Sequence, residues 1–415
     1  MSKVIISFLG RQRRQTPDGM GLTNTLGYRK ARYRLPDGSM SAETTTPCLP
    51  IRDLVGAEKL VMFGTSGSMW SGFLESAGIP LDEALLELES KVESQQVTQD
   101  DLSSWQDAMR QQLGLDCRMI ITDDAQSPDS QLAMIERIAE QTQPEDQITF
   151  DVTHGFRHMP MLALTAAFFL KSLRHCEIEH IYYCQLGQGT DGEGIVVDVS
   201  TLLEMMDWVR ALSAFDGDGD FGHLVAPLQK HSDPEAKSTL AQLQRASLFE
   251  RITDITQACK HLHSASGSLK AAPLGPIGKI IKPEIEQRLK SILDYQNRSA
   301  REAKMAQGYL RRNDLLRAAI YSFEAIITRR CEKKKLDSGS FANRKEIEDD
   351  IKQDTKHAKG AGIHDHPLRR LIQFRNNVAH GRNEDSSKAF RNADSMADEL
   401  AELIKVCFKD EGLPF

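Results

Sequence analysis

Apolar positions follow two rhythms along this chain, and the change-over lies near residue 200. In the first half, short unbroken apolar runs alternate with stretches of helical spacing. Val4–Leu9 is closed by Gly10, and Lys59–Phe63 by Gly64. Continuous apolar runs of this length mark strands buried on both faces. Arg118–Thr122, Gln147–Val152 and Ile178–Gln185 read as further strands, with Ile195–Val199 as an edge strand. Tyr28–Leu35 and Met40–Thr46 flank Pro36-Asp37-Gly38, which predicts a β-hairpin. Helical patterns occupy Leu81–Leu113, Ser130–Gln141 and Pro160–Leu173. Strands alternating with helices predict a mostly parallel, Rossmann-like α/β sheet covered on both faces.

Beyond Ser200 no alternating strand pattern remains, so residues 201–415 read as all-α. Breaks are expected at Asp216–Asp220 and at Lys270–Lys282, the latter rich in Pro and Gly. Asn313–Lys335 reads as a long amphipathic helix and Asp337–Asn343 as a polar loop. Pro367–Ala379 is a helix with Asp365 placed to cap it, Pro367 in its first turn and Gly381 as its stop. Ala389–Cys407 is the last helix. The expected division is 1–200, 201–300 and 301–415.

The most telling motif is Asp151-Val152-Thr153-His154-Gly155-Phe156-Arg157. It lies where a strand runs into a helix, at the carboxyl edge where open α/β sheets bind ligands. Gly155 lets backbone approach a phosphate, and the next helix points free N–H groups at the same spot. Thr153, His154 and Arg157 supply donors, although a lone histidine there also suits a structural hydrogen bond. Two other loops reach the same rim. One is Gly10–Arg14, with Arg11, Arg13 and Arg14; the other is Gly64–Trp70, with Thr65, Ser66, Gly67 and a tryptophan placed to stack on a base. The second loop lacks the Gly-Lys-Ser/Thr of a P-loop. Three such loops at successive strand ends point to a phosphate-bearing ligand.

A second motif, Arg375-Asn376-Asn377-Val378-Ala379-His380, lies in the all-α half. Arginine plus histidine is enough to cut RNA through its own 2′-hydroxyl: histidine moves a proton at neutral pH, and guanidinium stabilises charge on the phosphate. Five residues apart on a helix, the two side chains differ by roughly 140°. They would meet if the helix frayed before Gly381, or through the same pair on a second subunit.

Charge agrees with this division of labour. The net charge of −7 does not mark the whole chain as a nucleic-acid binder, but residues from 301 onward carry +4 and the remainder −11. Seven cysteines, an odd number without C-x-x-C spacing, read as a reduced cytoplasmic protein without a zinc site. The longest apolar stretch, Met159–Leu170, falls short of the roughly 20 residues of a membrane span. Asp216–Asp220 begins like a calcium loop, but Pro227 holds the position of the bidentate glutamate. His357, His364 and His366 read as loop residues rather than metal ligands.

These residues together resemble the CRISPR-associated CARF–HEPN ribonucleases of type III systems. Ile5–Gly10, with Tyr28 and Tyr33, looks like the start of a CARF domain. Asp151, Thr153, His154, Gly155 and Arg157 match its second ligand motif, and Arg375, Asn376 and His380 match the HEPN signature. The resemblance implies a CARF domain at 1–200, a helical connection at 201–300 and a HEPN domain at 301–415. It implies a homodimer, or higher oligomer, that binds cyclic oligoadenylate, with tetra-adenylate the expected ring. Gly10, Arg11, Thr65, Ser66, Gly67, Thr153, His154, Gly155 and Arg157 would contact that ring. RNA would be cut without a metal, leaving a 2′,3′-cyclic phosphate, by His380 as acid/base, Arg375 as phosphate stabiliser and Asn376 as helper. Glu324 would be a supporting polar group.

Overall fold

The computed structural model describes residues 2–12, 23–187, 193–295, 297–357, 366–380 and 393–415. Arg13, Arg14, His364, Asp365, Gly381 and the expected helix start at Ala389 lie outside them, as does the side chain of His357. The chain divides into two compact units, Met1–Met206 and Asp207–Phe415.

The first unit is built on seven strands: β1 Lys3–Leu9, β2 Tyr33–Arg34, β3 Lys59–Gly64, β4 Asp116–Ile121, β5 Gln147–Asp151, β6 Glu177–Gln185 and β7 Gly194–Asp198. They lie in the order β2-β7-β6-β5-β1-β3-β4. All neighbours are parallel except β6 and β7. From β1 the chain moves to β3 and β4 on one side, then crosses to β5 on the other. The topological switch therefore falls between β1 and β5. Successive residues of β1 feed opposite cores: Ile5 and Leu9 join one cluster, Val4, Ile6 and Phe8 the other. That is why the run is apolar throughout rather than alternating.

Among the described residues, six helices cover the sheet: α1 Cys48–Val55, α2 Trp70–Ser76, α3 Glu83–Ser94, α4 Gln99–Leu113, α5 Pro128–Glu140 and α6 Met159–Leu173. Reciprocal capping boxes start α4 at Thr98 and α5 at Ser127. The expected helix at 81–113 is two helices, broken where Gln95 turns left-handed with φ 58°. The expected hairpin is reduced to isolated bridges, Ala31–Thr44 and Arg34–Met40, around the predicted turn. Tyr33 and Arg34 also pair with β7, so β7 is not the sheet's edge.

The second unit is helical throughout its described residues. The chain enters it within α7 Thr201–Asp218, which runs into the acidic stretch before breaking. A 3-10 turn and the short α8 Val225–Leu228 precede α9 Pro234–Arg251, α10 Ile255–Ala271 and α11 Gly278–Leu293. Then come α12 Arg298–Arg311, α13 Leu315–Lys333, α14 Phe341–His357, α15 Pro367–His380 and α16 Ala393–Glu411. α13 is the centre. It was expected to be amphipathic, yet Ala318, Ala319, Tyr321, Ser322, Phe323, Ala325, Ile326 and Ile327 are all buried, because α12, α14, α15 and α16 pack around it.

Glu250, at the end of α9, is buried beside α12 and α13. Tyr309 donates its hydroxyl to the Glu250 carboxylate, and Tyr321 donates to the Glu250 carbonyl at 2.9 Å. The Arg317 guanidinium lies 4.4 Å from the Tyr309 ring centre. Carboxylate oxygen Oε2 has no hydrogen-bond partner. Burial above all pushes the Glu250 carboxyl up to about 8. Because this folded-state value lies above the unfolded one, its stabilising contribution is complete below about pH 4.5 and is lost as pH rises through about 8. Glu250→Gln should therefore flatten the fall in stability between pH 5 and 8, an effect on the order of a few kcal/mol. Urea midpoints of both proteins across that range check this; parallel pH profiles would refute it.

Candidate functional site

The carboxyl ends of β5, β1, β3 and β4 open onto one cavity of about 270 Å³. Gly10 and Arg11 follow β1; Gly64, Thr65, Gly67 and Ser68 follow β3; Thr122 and Asp123 follow β4; Gly155, Phe156 and Met159 follow β5. Phe8 and Phe63 form its floor, their rings 6.1 Å apart.

The loops are tied to one another before any ligand is considered. Ser68 donates its hydroxyl to the Leu9 carbonyl at 2.6 Å and accepts the Thr65 N–H at 2.9 Å. Met69 N–H donates to the Gly10 carbonyl at 3.0 Å. At the topological switch the loops after β1 and β5 nearly touch: a Cβ built on Gly10 would lie 2.9 Å from the Gly155 nitrogen. Gly155 itself has φ 102°, a conformation open to glycine and few others.

Beneath this loop lies a buried polar clamp. Asp151, fully buried, accepts from Ser7 Oγ at 2.8 Å, from Thr153 Oγ1 at 2.5 Å and from Thr153 N–H at 3.1 Å. Thr153 Oγ1 in turn accepts the Cys184 N–H at 3.0 Å. β1, β5 and β6 are thus linked through two hydroxyls. Burial pushes the Asp151 carboxyl up and the His154 imidazole down, each opposed by attraction to the other. His154 Nε2 is buried without a hydrogen-bond partner.

The residues expected at this site separate into two groups. Gly10, Arg11, Thr65, Gly67 and Gly155 line the cavity. Thr153, His154, Ser66 and Arg157 do not: Thr153 is engaged in the clamp, Ser66 accepts the Val97 N–H through its carbonyl, and Arg157 is exposed. Trp70 is not placed for base stacking. It opens α2 fully buried, with Nε1 donating to the Thr65 carbonyl at 2.8 Å. Sequence reasoning missed Asp123, Gln95 and Phe156 as lining residues. The strand-end rule applied to β4 would have found Asp123, whereas nothing in the sequence marks Gln95. A second cavity, of about 250 Å³, shares Arg11 and Gly67 and adds Gln12, Tyr28 and Glu89. Tyr28 donates to Glu89 at 3.0 Å, and Ser71 donates to the same carboxylate.

In the second unit, Arg375, Asn376 and His380 all lie on α15, which stays helical through His380. Among the described residues, the fraying that would let one chain bring the pair together is not seen. The Arg375 guanidinium lies 4.4 Å from the Phe323 ring centre and donates to Asn376 Oδ1 at 3.0 and 3.2 Å. His380 is exposed at the helix end. Glu324 is paired with Arg344, which also donates to Thr328 Oγ1 at 3.0 Å. Among the described residues, no three His, Cys, Asp or Glu side chains gather as a metal site, and no helix is long and apolar enough to cross a membrane.

Residues 4–185 match the family described as CRISPR system endoribonuclease Csx1, CARF domain. The CRISPR-associated protein MJ1674 of Methanocaldococcus jannaschii is 23% identical over 444 residues, an alignment covering 98% of this chain. The chain spans 66% of that relative's length, just under two thirds. Csm6 of Enterococcus italicus, solved with cyclic hexa-2'-fluoro-hexa-dAMP bound, overlaps 99% of this chain and 95% of its own at TM-score 0.41 and 11% identity. An overlap that loose leaves the assignment with the family match and the relative. With its parallel sheet and its switch between β1 and β5, the chain is similar over residues 4–185, a little under half of its length, to the Csx1 CARF-domain family.

Proposed function

We propose that this protein is a metal-independent endoribonuclease switched on by cyclic oligoadenylate. Residues 1–200 are the sensor, 201–300 a helical connection and 301–415 the HEPN nuclease. The observation that carries the sensing half is the cavity where the loops after β1, β3, β4 and β5 converge on the sheet's switch point. Gly10 and Gly155 leave backbone open to a phosphate there, and Arg11 supplies a cation.

For the nuclease half, the intact α15 points to a site shared between copies. Roughly 140° separates Arg375 from His380 on one helix, which favours a composite site to which a second copy contributes. The substrate 2′-hydroxyl attacks the adjacent phosphorus, and the bond to the 5′-oxygen of the next nucleotide breaks. His380 takes the 2′-hydroxyl proton and a proton passes to the departing 5′-oxygen, Arg375 stabilises the phosphorane charge, and Asn376 holds the guanidinium in place. The substrate supplies the nucleophile, so no metal-bound water is needed.

A fluorescent RNA-cleavage assay in EDTA, with cyclic tri-, tetra- and hexa-adenylate added in turn, tests this. Cleavage should require a ring, be strongest with tetra-adenylate, and leave 2′,3′-cyclic phosphate ends. Ring binding without cleavage of any RNA, with or without metal, would instead make the protein a sensor acting through a partner. Shortening of a labelled ring would make the first unit a degrader of its own messenger.

A further inference from the structure

The strand-end cavity is lined by two unlike kinds of polar group: backbone and cation, from Gly10, Arg11 and Gly155, and carboxylate and carboxamide, from Asp123 and Gln95. Phe63, Phe156 and Met159 lie among the apolar walls. Asp123 is held directly after β4, where Oδ1 accepts the Ala125 N–H at 3.0 Å. Gln95 ends α3 in the left-handed conformation, and its side chain lies against Gly67, whose built Cβ would come within 2.8 Å of Gln95 Cγ. Phe156 stacks on His158 with ring centres 5.8 Å apart, and His158 Nε2 lies 2.9 Å from the Asp124 carbonyl oxygen. The aromatic wall is thereby tied to the loop that carries Asp123.

A phosphate suits the backbone and cation groups, since a carboxylate repels it. A flat base suits the carboxylate and carboxamide, with aromatic rings among the same walls to stack on. The volume, about 270 Å³, falls below the roughly 300–1,000 Å³ of clefts that enclose a drug-sized ligand, which is too small for a whole ring.

We propose that one nucleotide of the messenger enters with its base towards Asp123 and Gln95, and that these two residues select adenine over 6-oxo purines. The inference rests on the sensing reading above and assigns its base-reading groups. The adenine 6-amino group donates to the Asp123 carboxylate. The Gln95 carboxamide pairs with the same base edge, accepting from the amino group and donating to a ring nitrogen. Hypoxanthine places a carbonyl oxygen where the amino group stood, facing the carboxylate.

Calorimetric titration of the full chain with cyclic tetra-adenylate and cyclic tetra-inosinate decides the matter. Wild type should prefer the adenylate ring by about tenfold or more. Asp123→Asn, whose amide donates to a 6-oxo group, should lose most of that preference. Gln95→Ala should weaken adenylate binding by about tenfold. Both side chains lie at the surface, and unchanged melting curves would confirm that the variants fold. Equal binding of the two rings by wild type, or an unaltered preference in Asp123→Asn, overturns this assignment and leaves sensing intact. If wild type binds no cyclic oligoadenylate of any size, the sensing reading falls and takes this assignment with it.

Discussion

Replacing His380 by alanine should reduce ring-stimulated RNA cleavage by about 10²–10⁴-fold, the contribution typical of a positioned acid/base. Ring binding should be unchanged. His380 is exposed at the end of α15, so its removal leaves no cavity and no unpaired buried group. A loss of activity would therefore report chemistry rather than misfolding. Arg375→Lys is the sharper companion. Lysine keeps the charge but loses the planar stacking on Phe323 and the paired donation to Asn376. It should lose most of the cleavage while the helical circular-dichroism signal persists. Single-turnover rates on a fluorescent RNA, beside calorimetric binding of the ring, separate the two effects. Wild-type cutting by His380→Ala would place the nuclease site elsewhere.

Gly10→Val, in the first unit, should abolish the response by way of ring binding. The first branching carbon would already lie 2.9 Å from the Gly155 nitrogen, and the neighbour it meets is backbone, which does not swing aside. The loops after β1 and β5 must then separate, or Gly155 must leave φ 102°. Strain of that kind costs roughly 1–3 kcal/mol, and lost ligand contacts add to it, so ring affinity should fall about 100-fold or more. β1 is paired with β5 as far as Ser7 and with β3 as far as Leu9, both before Gly10, so the sheet should survive and the melting curve should keep its cooperativity. Full affinity in Gly10→Val would mean that the ring does not use the switch-point cavity.

What the sequence disclosed follows from what is local. The parallel strands were legible because burial on both faces writes an unbroken apolar run, closed by Gly10 or Gly64. The rim loops were legible because strand polarity puts them at one edge. The hairpin was over-read: Tyr33 and Arg34 find their partners in β7, far along the chain, and no local pattern announces that pairing. The break at Gln95 carries neither Gly nor Pro, so α3 and α4 looked like one helix. Trp70 stood among Gly and Ser like an exposed ring, yet its indole nitrogen had a carbonyl to reach inside. On α15, the spacing of Arg375 and His380 was plain in the sequence. That Arg375 rests on Phe323 is a contact between helices and invisible there.

The hydroxyl bridge running from Ser7 through Asp151 and Thr153 to Cys184 ties β1, β5 and β6 together at the strand ends that carry the proposed sensing cavity. A receptor whose opening is set before its guest arrives gives up little disorder on association. It therefore discriminates by fit: a molecule of the wrong outline is turned away at encounter instead of being accommodated by rearrangement.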